Sequence, residues 1–409
     1  MKRGEIMSNS FDICIIGMGV AGAFATLRIA EKYKDTKIAA FDIGRKWAKR
    51  RRQIEGYLGC LPNSDGKLYL SDLAHVSTLI NPKKTKLADD WVNKIFSNID
   101  EFKVTKDRLP YSATTKKIKQ LGYDISLNDY IQLYPKNVHA LSKYMADIFE
   151  KNKNLTFNFD SEVLSIQKYP DHFTVSAEGQ EFTCKKVILA AGRSGWRWAA
   201  ELYKTLGIVE NNDYAKFGIR VELNSTILKD FNKSCCTLSK ENLSIGPFQW
   251  NGTIIPEDHL DMAISAFRSN EDRWKKDKVF FNIIGNRNYP NKGYEQTDRL
   301  AKLTFILAND RILKEKVYSI LAGKSKISII PEYSWLKDVI MELSNVIPDI
   351  VAKAYFHVPT IVPIAPKINL GSNLESDVEG LFIVGESAGI TGILAAAVMG
   401  CTVADSVCK

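Results

Sequence analysis

The feature that most constrains this chain is a turn near its start. Phe11-Asp12-Ile13-Cys14-Ile15-Ile16 reads as a short buried strand that runs straight into Gly17-Met18-Gly19-Val20-Ala21-Gly22. Ala23 to Lys32 then has helical spacing, and a second apolar run, Lys37 to Phe41, is closed by Asp42. Strand, glycine turn, helix, strand and acid is the order of a dinucleotide-binding βαβ unit. Gly17 lets the strand turn sharply, Gly19 lets a pyrophosphate approach the backbone, and Gly22 lets the helix pack close to the sheet. Val20 and Ala21 open the helix, whose free N–H groups and positive dipole end suit phosphates. Asp42 follows Gly22 by 20 residues. A carboxylate there accepts hydrogen bonds from ribose hydroxyls and repels a 2′-phosphate, which disfavours NADP. The turn alone leaves NAD and FAD both open.

Two later stretches narrow the choice. Ser161 to Tyr169, His172 to Ala177 and Glu181 to Cys184 alternate apolar and polar residues across Pro170-Asp171 and Glu178-Gly179 turns, as an antiparallel meander does. Val187 to Gly192 follows as a buried strand that ends in Ala191-Gly192. Near the C-terminus, Gly380 to Val384 runs into Gly385-Glu386, a Gly-rich turn and the small-residue helix Ile393 to Val407. Glu386 can hold a ribityl hydroxyl. The helix start at Thr391-Gly392-Ile393 can point at the flavin N1 and C2 carbonyl, where negative charge collects on reduction.

With these three stations the chain resembles the glutathione-reductase superfamily of FAD proteins. Within it, the chain is similar to the FAD-dependent dehydrogenases (NAD(P)/FAD-dependent oxidoreductases) of bacteria and archaea. The narrower likeness rests on Arg50-Arg51-Arg52-Gln53-Ile54-Glu55, Ser64-Asp65-Gly66-Lys67-Leu68, Ala191-Gly192-Arg193-Ser194-Gly195, Phe217-Gly218-Ile219-Arg220-Val221 and Gly385-Glu386-Ser387-Ala388-Gly389. Asp42 stands where Glu is usual and Glu386 where many members have Asp, and both keep the carboxylate. The resemblance implies that Gly17, Gly19, Gly22 and Asp42 hold the ADP half, and that Val163 meets adenine through its backbone. It implies that Ala191 and Gly192 flank the cofactor, that Gly385 and Glu386 hold the pyrophosphate or ribityl chain, and that Thr391, Gly392 and Ile393 face the flavin ring. Arg45 or Arg52 would reach the adenosine or pyrophosphate.

The implied fold is α/β: a doubly wound, Rossmann-like FAD-binding domain of the glutathione-reductase type with an inserted α+β substrate domain. Its first part covers 1–213, with a helical insertion at about 67–154 that includes helices over Ala88 to Phe102 and Val138 to Glu150. The substrate or cap domain covers 214–359, and 360–409 completes the FAD domain. In the middle, strands are expected at Phe217 to Leu223, Thr253 to Ile255, Met262 to Phe267 and Val279 to Ile284. Thr297 to Leu321 and Trp335 to Phe356 read as largely helical, with a break at Pro348. A length of 409 residues accommodates two such domains. No second glycine fingerprint follows a strand, so a dedicated NAD(P)H domain is not expected.

Two residues are candidates for catalysis. His357 lies where the chain re-enters the FAD domain, and the alternative is a packed or surface histidine. Arg220 in the first strand of the middle segment suits a substrate carboxylate, and the alternative is an ion pair. Lys67 is placed either near the flavin or on the surface.

The rest of the composition bounds the setting. The net charge of +9 is spread along the chain, which favours a solvated surface over nucleic-acid binding. The seven cysteines form no C-x-x-C, which fits a reducing cytoplasm and argues against disulfide-reductase chemistry. Neither a membrane span nor a signal peptide is expected, and no metal-ligand spacing emerges. The leading expectation is therefore an FAD-dependent dehydrogenase or reductase that transfers a hydride between flavin N5 and a small organic substrate, with NAD(P)H as an optional external donor. A flavoprotein of RNA modification and a non-catalytic FAD-bound assembly partner are the alternatives. Oligomeric state is left open.

Overall fold

The computed structural model describes residues 9–45, 54–269, 277–362 and 367–408. Strand β1 (Ser10–Ile16) leads through the glycine turn into helix α1 (Val20–Lys32) and strand β2 (Ile38–Asp42). From Ile13 onward β1 is buried on both faces, as a central parallel strand must be. It pairs in parallel with β2 on one side, and β2 pairs in parallel with β3 (Leu155–Phe159). Next come β4 (Val163–Lys168), β5 (Phe173–Ala177) and β6 (Gln180–Leu189), with β6 pairing in parallel with the other side of β1.

Strand β6 departs from the sequence reading. Glu181 to Cys184 and Val187 to Leu189 are one continuous strand whose outer edge changes partner. Its first half pairs antiparallel with β5, and Val187 to Leu189 pair in parallel with Leu381 to Ile383. Lys185 and Lys186 do not interrupt it, because their ammonium groups leave the sheet to reach Asp12 at 2.9 Å and the Val407 carbonyl at 2.6 Å.

Helix α2 (Trp196–Leu206) then leads to the second sheet. Its spine is the long strand β7 (Tyr214–Asn224); the hairpin β8 (Gly252–His259) and β9 (Met262–Ser269) forms a two-stranded sheet of its own, and β10 (Lys278–Asn288) returns to the spine. Strand β7 pairs along its length with β10 and, across a bulge between Gly218 and Arg220, with β11 (Tyr355–Ile361). Fully buried phenylalanines, among them Phe217, Phe248, Phe281 and Phe356, fill this second core. The short strand Asp124–Ser126, within the stretch read as an insertion in the first unit, pairs with Thr237 to Ser239 of this sheet.

The expected helices here are shorter than their apolar spacing suggested. Helix α3 (Gly293–Leu307) ends before Asn309 and Asp310, both at positive φ. The chain then forms the edge strand Leu313–Lys316, which pairs with β11. Tyr355 and Phe356 are strand and not helix: from Phe356 to Ile361 every side chain is buried, as in a strand flanked on both edges.

The last elements return to the first sheet as β12 (Leu381–Ile383) and α4 (Ile393–Val407). Helices α1 and α4 touch at backbone distance, since a Cβ on Gly400 would lie 2.2 Å from the Ala21 carbonyl oxygen. Asp405 on α4 binds Arg28 at 3.0 Å, Lys32 at 2.9 Å and Tyr33 at 3.1 Å, which fastens the two ends of the chain together. No helix among the described residues is long and apolar enough to cross a membrane.

Candidate functional site

A cavity of about 490 Å³ begins at the ends of the parallel strands and extends to the second sheet. At the first end it is shaped by backbone. Gly17 has φ +96, and a Cβ there would lie 2.3 Å from the Ala190 carbonyl oxygen. A Cβ on Gly22 would lie 1.9 Å from the Gly17 oxygen, so the turn closes on itself. Above Gly19 the nearest atom to such a Cβ among the described residues is Gly59 Cα at 4.0 Å, so none of them crowds the approach to α1. No side chain caps α1 and no acid stands in its first turn. Its N-terminal N–H groups and the positive end of its dipole therefore open onto the cavity.

Asp42 also lines the cavity and holds its floor together. Its Oδ2 accepts from the Met18 N–H at 2.7 Å, and its Oδ1 accepts from Gly44 at 2.7 Å and Gly56 at 2.9 Å. Val20, Ala21 and Val163 lie in the same wall. So do Ala191, Gly192 and Gly385, which enter from the ends of β6 and β12. The Gly192 N–H donates to Ser387 Oγ at 3.1 Å, joining those two strand ends. Gly392 and Ile393 form the wall at the start of α4. There a Cβ on Gly392, which has φ +115, would lie 2.2 Å from Asp72 Oδ2. Burial, with Asp65 nearby, pushes the Asp72 carboxyl up to about 7.

At the second end charged side chains take over. Arg193 donates to Glu386 Oε1 at 3.0 Å and to Glu257 Oε1 at 2.9 Å, and these carboxylates raise its already high pKa. Arg220 is buried, and no carboxylate among the described residues touches it. Its Nη1 donates to Gln249 Oε1 at 3.3 Å, its Nη2 to the Ser265 carbonyl at 3.2 Å, and its Nε has no partner. Burial brings its pKa down to about 10, against the pull of Glu257 and Asp65. Gln249 Nε2 in turn donates to Asp65 Oδ2 at 3.0 Å, as does Tyr69 Oη. A hydrogen-bonded path thus joins the turn at Asp65 to the second sheet. Lys67 is buried in the same wall, with Nζ 3.4 Å from Cys235 Sγ and 4.8 Å from the centre of the Tyr130 ring.

The structure brings most of the expected site residues together around one cavity, but not all. Gly22 packs beneath the turn and is outside the lining. Thr391 is exposed and outside the lining. Arg45 is also outside it, paired with Asp160 at 3.1 Å, and Arg52 lies outside the described residues. His357 does not line the cavity either. It is buried in β11, 2.8 Å from Glu222 Oε2, in a cluster with Lys278 and Lys314. Burial lowers its pKa, with Glu222 pulling the other way. Arg193 stood inside a quoted motif without an assigned place in the site, and of the two places open to Lys67 the structure takes the buried one, in the cavity wall. Gln249 and Glu257 carried no signal at all, because only folding brings the second sheet to the glycine turn. Among the described residues no cluster of His, Cys, Asp or Glu is arranged to hold a metal ion.

No family model matches this chain, and no curated protein does. Solved structures do resemble it. Glycine oxidase from Geobacillus kaustophilus aligns over 97% of this chain and 94% of its own, at 15% identity and a TM-score of 0.46. The p-nitrophenol 4-monooxygenase PnpA from Pseudomonas putida DLL-E4 aligns over 97% and 77%, at 9% identity and a TM-score of 0.43. CtdE in complex with FAD and a substrate aligns over 97% and 83%, at 14% identity and a TM-score of 0.42. At such scores these likenesses assign neither a reaction nor a substrate to the cavity.

Proposed function

We propose that the chain is an FAD-dependent oxidoreductase acting on a small organic anion. In this reading a doubly wound unit of the glutathione-reductase type, built from 1–213 and 360–409, holds the cofactor, and 214–359 covers the substrate. The observation that carries it is one continuous cavity with an uncapped helix start at one end and a buried arginine without a carboxylate partner at the other.

The residues fit the cofactor. The space left above Gly19 and the uncapped start of α1 suit a pyrophosphate, and Asp42 suits the ribose. Ala191, Gly192, Gly385 and Glu386 suit the chain between pyrophosphate and ring, and Gly392 and Ile393 suit the ring itself. When bound, the flavin supplies hydride transfer at N5. The protein's own part is to orient the substrate and exclude water. Arg220 anchors the substrate's acidic group, and Gln249 and the Ser265 carbonyl fix its guanidinium plane.

The test is an absorbance spectrum of the purified protein, before and after anaerobic NADH or NADPH. Flavin bands are expected. Bleaching by a nicotinamide supports a reductase, and bleaching only by an organic acid supports a dehydrogenase. A protein that neither carries nor takes up FAD ends the proposal.

A further inference from the structure

Among the described residues three cations line the cavity, Lys67, Arg193 and Arg220, and they are held in different ways. Arg193 is neutralised by two carboxylates. Lys67 and Arg220 are 7% and 9% exposed, yet only neutral groups touch their charges. For Arg220 these are an amide oxygen and a backbone carbonyl. For Lys67 they are a thiol and an aromatic face. A thiol is a weak acceptor, and an ammonium has three donors.

The nearby carboxylates are occupied elsewhere. Asp65 accepts from Tyr69 Oη, Gln249 Nε2 and the Lys67 backbone N–H, and Glu257 accepts from Arg193. Both act on Arg220 only through space. Leaving a buried charge without a charged partner costs several kcal/mol, a cost that a bound anion removes. Two such cations in one wall, joined by the path from Asp65 through Gln249, ask for two negative charges.

We infer that the substrate of this cavity is a dianion, with one acidic group on Arg220 and the other on Lys67, a dicarboxylate being the simplest case. The inference rests on reading the cavity as a substrate site, as proposed above.

The experiment is calorimetric titration of the purified protein. Malonate, succinate, glutarate and adipate are each compared with the monocarboxylate of equal chain length. At least one dicarboxylate is expected to bind about tenfold or more tightly than its partner, the worth of one charged hydrogen bond. Lys67→Met removes that preference and Lys67→Arg retains it, so the loss is one of charge and not of folding. Arg220→Met weakens both members of the pair. Equal affinities throughout, no binding by any dicarboxylate, or a preference that survives Lys67→Met would each overturn the inference. Calorimetry reads binding without turnover. A protein lacking flavin would therefore sink the proposed function and leave the dianion site standing, whereas flavin bleached by monoanions alone would do the reverse.

Discussion

The two ends of the cavity are built from different materials. At the glycine turn, backbone does the shaping: positive φ at Gly17, a Cβ-free approach over Gly19, and an uncapped helix. At the far end, side chains from the turn after β6, from β7, from the β8–β9 hairpin and from the Lys67 turn converge as charges. Backbone geometry is intolerant of almost any side chain, whereas a charge site tolerates changes of shape and not of sign. Substitutions at the first end should therefore cost folding and cofactor together, and substitutions at the second should cost ligand alone.

The sharpest test of that contrast is Gly22→Val. Even a Cβ would lie 1.9 Å from the Gly17 oxygen, and that oxygen belongs to backbone that cannot step aside. A loss of more than about 3 kcal/mol in stability is expected, read by chemical denaturation, with flavin content falling in parallel. A stable, flavin-loaded Gly22→Val protein would break the backbone half of the comparison. The next largest effect belongs to Arg220→Met. Removing the anchor of a buried anion costs about 2–5 kcal/mol of binding, so kcat/KM should fall about a hundredfold while flavin content holds. A variant that loses flavin instead would mean that Arg220 serves the cofactor end.

The same contrast explains what could be read in the chain beforehand. The glycine turn was legible because Gly17, Gly19, Gly22 and Asp42 lie within one local unit and each answers a backbone requirement. The strand ends at Ala191-Gly192 and Gly385-Glu386 were legible for the same reason. The far end was not. Gln249 reaches Arg220 and Asp65 only because β7 and the neighbouring strands fold against the turn, and nothing local to Gln249 announces it. Lys67 could be placed near the flavin or in solvent with equal justice, since its burial depends on Tyr130 and Cys235 far along the chain. Tyr355 and Phe356 misled as helix because their apolar spacing is the same in both structures, and only the flanking strands decide.

Asp72 sits where the two ends meet, against Gly392, and gives a pH test of intermediate size. Burial raises its carboxyl from 3.8 to about 7. Between those values the folded chain holds a proton that the unfolded chain has released, so stability falls as pH rises from about 4 to about 7. Asp72→Asn should flatten that decline in thermal melts recorded across the interval. A variant that melts with the wild-type slope would show that solvent reaches Asp72 freely.

The smallest effect on turnover is expected at His357, the residue whose position in the chain suggested catalysis. Its ring is bonded to Glu222 at 2.8 Å, Lys278 and Lys314 bind the same carboxylate, and none of the four lines the cavity. An asparagine can still donate to Glu222. His357→Asn should therefore leave kcat/KM within about twofold and lower stability by no more than about 1 kcal/mol, the worth of one hydrogen bond. The pH dependence has a definite sign. Burial holds the ring below its ordinary value of 6.5, so in acid the unfolded chain takes up a proton that the folded ring resists. The wild type should lose stability below about pH 6.5, and the variant should lose less of it. A fall of more than tenfold in kcat/KM, with stability and its pH profile unchanged, would return His357 to the chemistry and extend the charge-built end of the cavity into β11.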